Sequence, residues 1–198
     1  TGSTMPMLSG DMMEACLPSV AAGAGATGIQ ITPLTSMACA RASGMSGGMT
    51  PGNVTNANSG ICSYFSVSDI LHVVPMNPLA AGSGAGATQD ARNYGMAIAA
   101  MSQYAKTVGM TGSSSGMVTA MMDDASDGVM NGMMGATGIS MMGMGGMMGG
   151  MMQATAGSTG LANAMGTFVG SAMNRSGITP TDMQPLVNHL NASGGVIP

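Results

Sequence analysis

From Thr88 to Val108 the apolar residues Ala91, Tyr94, Ile98, Met101, Ala105 and Val108 fall three and four apart, the spacing that lines one face of an α-helix. Thr88 offers a capping oxygen, Asp90 suits the positive end of the helix dipole and Gly109 can end the run, so a helix is predicted over 88–108. Met117 and Met121, one turn apart, predict a shorter helix over 115–125. Leu186, Val187 and Leu190, with Gly194 beyond them, predict a last one over 184–191. Near the start, Met12, Cys16 and Val20 stand at four-residue intervals behind Ser9, which predicts a short helix over 10–20. After it the pattern changes: "GIQIT" is a short strand candidate, 42–60 is a Gly/Ser/Thr/Asn-rich loop, and "YFSVSDILHVV" is a β-prone run.

Between Gly128 and Asn174 the pattern is carried by two residue types. Met134, Met141 and Met148 share one position of a seven-residue repeat. Met130, Met144, Met151 and Met165 share a second, and Met133, Met147, Leu161 and Phe168 a third. On a helix these positions span an arc of about 100°, and the glycines fall outside it. Two helices with a methionine face and a glycine face are therefore predicted, over 128–154 and 160–175, with a break near "TAGSTG" that resets the drift of a straight helix against a heptad. The thirteen glycines of this stretch cost such helices roughly 10 kcal/mol relative to alanine. Close backbone approach to another helix is what offsets that loss, and Gly145 with Gly149, Gly146 with Gly150 and Gly166 with Gly170 have the four-residue spacing that permits it.

Proline divides the chain. Six prolines lie between Pro6 and Pro78 and the next is Pro180, which separates a loop-rich segment (1–84) with a short helix and strands, a helical Met/Gly-rich region (85–178) and a C-terminal short helix and tail (179–198). The fold class expected is mainly α: Met/Gly-faced helices in a bundle or assembly, with an irregular N-terminal segment containing at most short strands.

Composition narrows the function classes. Charged residues make up 6% of the chain, against about 25% in an ordinary soluble domain. With 27 methionines, 45% hydrophobic residues and a net charge of −4, little keeps its surface from associating. Copies of itself are the expected partner. One lysine and three arginines cannot neutralise a run of phosphates, so nucleic acid is excluded. The opening "TGSTMPML" has no apolar signal core, which fits a processed chain of the cell exterior, periplasm or cell envelope. Cys16, Cys39 and Cys62 are an odd set spaced 23 and 23; in an oxidising compartment one pair closes and one thiol remains, with the pairing open. Asn53, Asn174 and Asn191 stand in glycosylation sequons.

Candidate chemistry is sparse. Nucleophile elbow, zinc helix and Walker loop are all missing from the sequence, so no enzyme is expected and no catalytic residue is assigned. Asp123, Asp124 and Asp127 form the only carboxylate cluster, either a solvated turn or a cation site. His72 and His189 are isolated, and without "CxxCH" no covalent haem is expected. Thioethers are soft ligands that select Cu(I). On a helix, Met141, Met144 and Met148, or Met147, Met151 and Met152, converge, as do Met130, Met133 and Met134; "MPM" at Met5 and Met7 and the Met12/Cys16 pair are weaker sets. The leading reading is an exported structural subunit that self-assembles into a filament, sheath or layer, needing no cofactor. A Met-rich Cu(I)-handling protein is the alternative. A membrane-embedded helical subunit comes third, because glycine, serine and threonine dilute the hydropathy of the uncharged run.

Overall fold

The computed structural model describes residues 12–23, 25–110, 115–142 and 148–198. About half of the chain is helical. Its elements, in order, are α1 (Pro33–Gly44), α2 (Pro51–Phe65), α3 (Gln89–Thr107), α4 (Ser115–Ser126), the short strands β1 (Met133–Met134), β2 (Thr137–Gly138), β3 (Ser140–Met142) and β4 (Met148–Met151), a five-residue π-helical turn at Ala156–Gly160, α5 (Leu161–Val169) and α6 (Pro180–Ala192).

Three helices begin the same way. In Thr32-Pro33, Thr50-Pro51 and Thr179-Pro180 the threonine hydroxyl accepts from the third N–H of the helix, and the proline occupies the first turn, where no N–H is needed. Thr35 and Asp182 complete capping boxes on α1 and α6. The N-terminal segment is thus corrected from loop to helix: the loop expected over 42–60 is the end of α1, a turn and most of α2. Helix α2 also takes in the start of "YFSVSDILHVV", which continues as turns, and "GIQIT" leads into the α1 cap. No strand occurs among the described residues before 84.

Residues 12–20 are non-helical, which overturns the predicted N-terminal helix; its cap, Ser9, lies outside the described residues. Instead this extended chain lies on the first turn of α1, where the Glu14 N–H donates to Ser36 Oγ (2.9 Å) and Thr35 Oγ1 donates to the Glu14 carbonyl (2.8 Å). The α1 hydroxyls bind it where a helix would have bonded itself.

Helices α3 and α4 occupy the predicted spans, with Thr88 capping α3. Helix α1 packs on α4 and α2, and α5 packs on α3 and α6. One continuous core joins them, from Leu34 and Met37 through Tyr64, Tyr94, Met117 and Met121 to Leu190 and Ile197. Its contributors come from all three compositional segments. The last helix is longer than the 184–191 expected, beginning at its Thr-Pro cap, and α5 is shorter than 160–175, ending at Gly170.

The principal correction concerns 128–154, which is not a helix among its described residues. Tertiary partners take the N–H groups that helical bonding needs. Met130 N–H donates to the Gly195 carbonyl (2.7 Å), Ile197 N–H to the Gly128 carbonyl (2.9 Å), and carboxylates of α4 and its turn bind several others. What forms is two antiparallel hairpins, β1–β2 and β3–β4. Gly135, at φ +60°, opens the two-residue turn between β1 and β2, a position that favours glycine in hairpins.

Close backbone approach does occur, at glycines other than those expected. A Cβ on Gly95 of α3 would stand 2.0 Å from the Met76 carbonyl oxygen, and one on Gly157 would stand 1.8 Å from Met130 Cβ. Gly166 on α5 faces open space. Gly95→Ala is therefore expected to destabilise the fold by about 2 kcal/mol or more through overpacking against backbone. Gly166→Ala is expected to stabilise it by about 0.5–1 kcal/mol, since only helix entropy changes. Urea denaturation of the two variants checks the opposite signs.

Candidate functional site

The methionine hairpins grow from the end of α4, and two carboxylates hold them there. Asp124 is fully buried; its Oδ1 accepts from the N–H groups of Asn131 (2.9 Å) and Gly132 (2.7 Å). Asp127 is exposed and bridges the same strip, accepting from Val129 N–H through Oδ1 and Gly135 N–H through Oδ2, both at 2.9 Å. The cluster seen in the sequence is thus a backbone anchor. Among the described residues Asp124 Oδ2 has no hydrogen-bond partner, and burial pushes its carboxyl up to about 6. Bonds from Gly132 and Asn131 pull the other way, and the Asp127 charge adds to the rise. Burial also raises Asp123.

Around this anchor the backbone is close-packed. The Tyr64 hydroxyl donates to the Gly157 carbonyl in the π-helical turn, and the Tyr104 ring lies against Gly160. Met130, which the sequence grouped with Met133 and Met134, is buried at the crossing point, while those two are exposed on β1.

The hairpins rearrange the expected metal sets. Met141 on β3 and Met152 just after β4 are buried in the core, and Met151 is 57% exposed. In the ladder Met141 is paired with Gly149 and Met142 with Met148, with a register shift between Ser140 and Met141, so Met141 and Met148 are placed by strand register and not by helical spacing. Met5, Met7, Met144, Met147, Gly145 and Gly146 lie outside the described residues. Of the expected helix-contact glycines, Gly149 and Gly150 are on β4; Gly170 ends α5 and would meet only carbonyls of that helix.

The cysteines resolve to a Cys16–Cys39 disulfide, with Cα atoms 5.5 Å apart, and a free Cys62. Glu14 stands beside the disulfide, but both sulfurs are bonded to each other, and the Met12/Cys16 pair loses its thiol. Cys62 is half-buried at a shallow groove of about 470 Å³ lined by Ser59, Ser63, Ser66, Val67, Ser68 and Asp90. Burial pushes its thiol up, the Ile70 N–H opposes this, and the charges of Asp69 and Asp90 raise it further. That is the reverse of an activated nucleophile. His72 Nδ1 pairs with Asp69 Oδ2 at 2.7 Å, and His189 Nε2 donates to the Ser63 carbonyl at 3.0 Å. Asn174 gives its side-chain amide to the Val169 and Ile178 carbonyls, so this sequon nitrogen is engaged in the fold. No helix among the described residues is long and apolar enough to cross a membrane.

Because the folded state raises Asp124, the protonated form is favoured in it. The group's contribution to stability is complete below the ordinary carboxyl value of 3.8 and is lost as pH rises to about 6, a change of about 3 kcal/mol. Asp124→Asn, which keeps the Oδ1 acceptor, is expected to lack this part of the pH dependence when urea stabilities of variant and parent are compared from pH 4 to 7. Asp124→Ala leaves two N–H groups unpaired and is expected to lose about 2–4 kcal/mol.

No protein-family model, curated protein or solved structure matches this chain.

Proposed function

We propose that this chain is an exported structural subunit that associates with copies of itself through its methionine hairpins. One observation carries the reading: Met133 and Met134 of β1 and Met151 of β4 are exposed on two-stranded hairpins that pair with no further strand among the described residues. Two-stranded hairpins are marginal alone, and sheet edges are ordinarily protected by lysine, proline or cover. Here no charged residue occurs from Gly128 to Asn174.

A second copy is the occupant that this surface suits. The strands of the hairpins carry no charged residue on either copy, and flexible thioethers adapt to an imperfect fit. The Cys16–Cys39 disulfide supports an oxidising compartment. The raised Cys62 thiol and the engaged histidines support a non-catalytic role.

Light scattering on a sizing column, with electron microscopy of the purified chain, is expected to show assemblies larger than a monomer. Met134 and Thr137 are exposed and face each other across β1 and β2. Met134→Lys combined with Thr137→Lys is expected to give monomers with unchanged helical circular dichroism. A parent chain that stays monomeric at its solubility limit, or a double variant that assembles as before, overturns the reading.

A further inference from the structure

We infer that Met133 and Met151 form a Cu(I)-binding pair over the glycine face of the first hairpin. This goes beyond the assembly reading and uses the face opposite to Met134 and Thr137.

Two independent features bring the thioethers together. Met133 stands directly across from Gly138 in the β1–β2 ladder, so its side chain leaves on the same face that a Gly138 side chain would use. On that face a Cβ at Gly138 would stand 2.5 Å from Met151 Cε and meet nothing else within 4 Å among the described residues. The end of Met151 therefore fills the side-chain place of the residue opposite Met133. The backbone shows the same adjacency one residue further on: Ile139 N–H donates to the Gly132 carbonyl (3.0 Å) and Met152 N–H to the Ile139 carbonyl (2.8 Å). Met151 is the ladder partner of Ser140, two residues from Gly138 along the chain, so its side chain reaches Gly138 along the diagonal.

Core filling does not explain this arrangement. Met133 is 37% and Met151 57% exposed, and Met151 lies over a glycine that offers it no side chain to pack against. Both residues are open to solvent. Thioethers are soft, neutral donors that select Cu(I) over hard cations. They have no proton to lose, so binding is expected to be flat in pH where thiolate or imidazole ligation is not. Asp127, whose carboxylate holds the Gly135 N–H at the tip of the same hairpin, supplies a compensating negative charge nearby.

Cys62 is a competing soft ligand, so the titrations use a Cys62→Ser background. Cu(I), titrated anaerobically against a chromophoric chelator, is expected to bind with one tight equivalent and an affinity unchanged from pH 5.5 to 7.5. Met133→Leu and Met151→Leu should each weaken it at least ten-fold. Gly138→Val, which keeps both sulfurs but fills the place of the Met151 tip, should weaken it as well. Met134→Leu should leave it unaltered. With Ag(I) as probe, the methyl carbon resonances of Met133 and Met151 should shift before those of the other methionines. Failure of the parent to bind, retained affinity in either Met133→Leu or Met151→Leu, or an equal loss in Met134→Leu overturns the proposal. The Leu variants assemble or fail to assemble independently of this result, so the two readings are separable.

Discussion

A single buried carboxylate decides where the uncharged stretch of this chain begins its path. Asp124 stands near the end of α4 with its side chain inside the core, and it captures the N–H groups of Asn131 and Gly132 just as the chain leaves the helix. Each of those donors would cost about 1–3 kcal/mol if buried without a partner, so the carboxylate compensates for its own desolvation by satisfying them. The remaining oxygen has no partner among the described residues, and burial that is only partly compensated makes the carboxyl a weaker acid than usual. The first hairpin begins directly after this anchor.

Glycine supplies the second constraint. At Gly157 the π-helical turn crosses Met130 so closely that no side chain fits, and Tyr64 from α2 binds the carbonyl at the same point. Gly195 repeats the approach from the C-terminal tail, where a Cβ would stand 2.6 Å from the Met130 carbonyl oxygen. Met130 is thus enclosed by chain segments distant in sequence. The methionines split accordingly: Met130, Met141 and Met152 fill the core, where an adaptable thioether suits an irregular space, while Met133, Met134 and Met151 remain outside.

That split is what supports a functional surface. A methionine-rich core alone is packing material, but exposed thioethers on short hairpins with no charge in their own strands are available to a second copy or to a soft cation. Met133 and Met151 serve both readings, while Met134 and Thr137, on the opposite face of β1–β2, belong to the assembly reading alone. The Cys16–Cys39 disulfide fastens the extended N-terminal chain to α1, so the helical body can hold its shape while the hairpins meet a partner.

Much of the helical body was determined by the sequence itself. The three-and-four spacing from Ala91 to Val108 and the Thr88 cap located α3, because an amphipathic face and a cap are local properties. The Thr-Pro pairs that open α1, α2 and α6 were equally local signals, although their prolines also fit a reading as loop punctuation, which hid the first two helices. Scarce charge and the odd cysteine were legible from composition, but the equal spacing of Cys16, Cys39 and Cys62 left the pairing to the fold. Only tertiary structure decided the segment after Gly128. Methionine seven residues apart is compatible with a helix or with hairpins, and glycine is poor in both, so local preference nearly cancels there. The balance is tipped by hydrogen-bond partners that lie far away or in another element: Asp124 on α4, Gly195 in the tail and Tyr64 on α2. No periodicity within the segment itself encodes them.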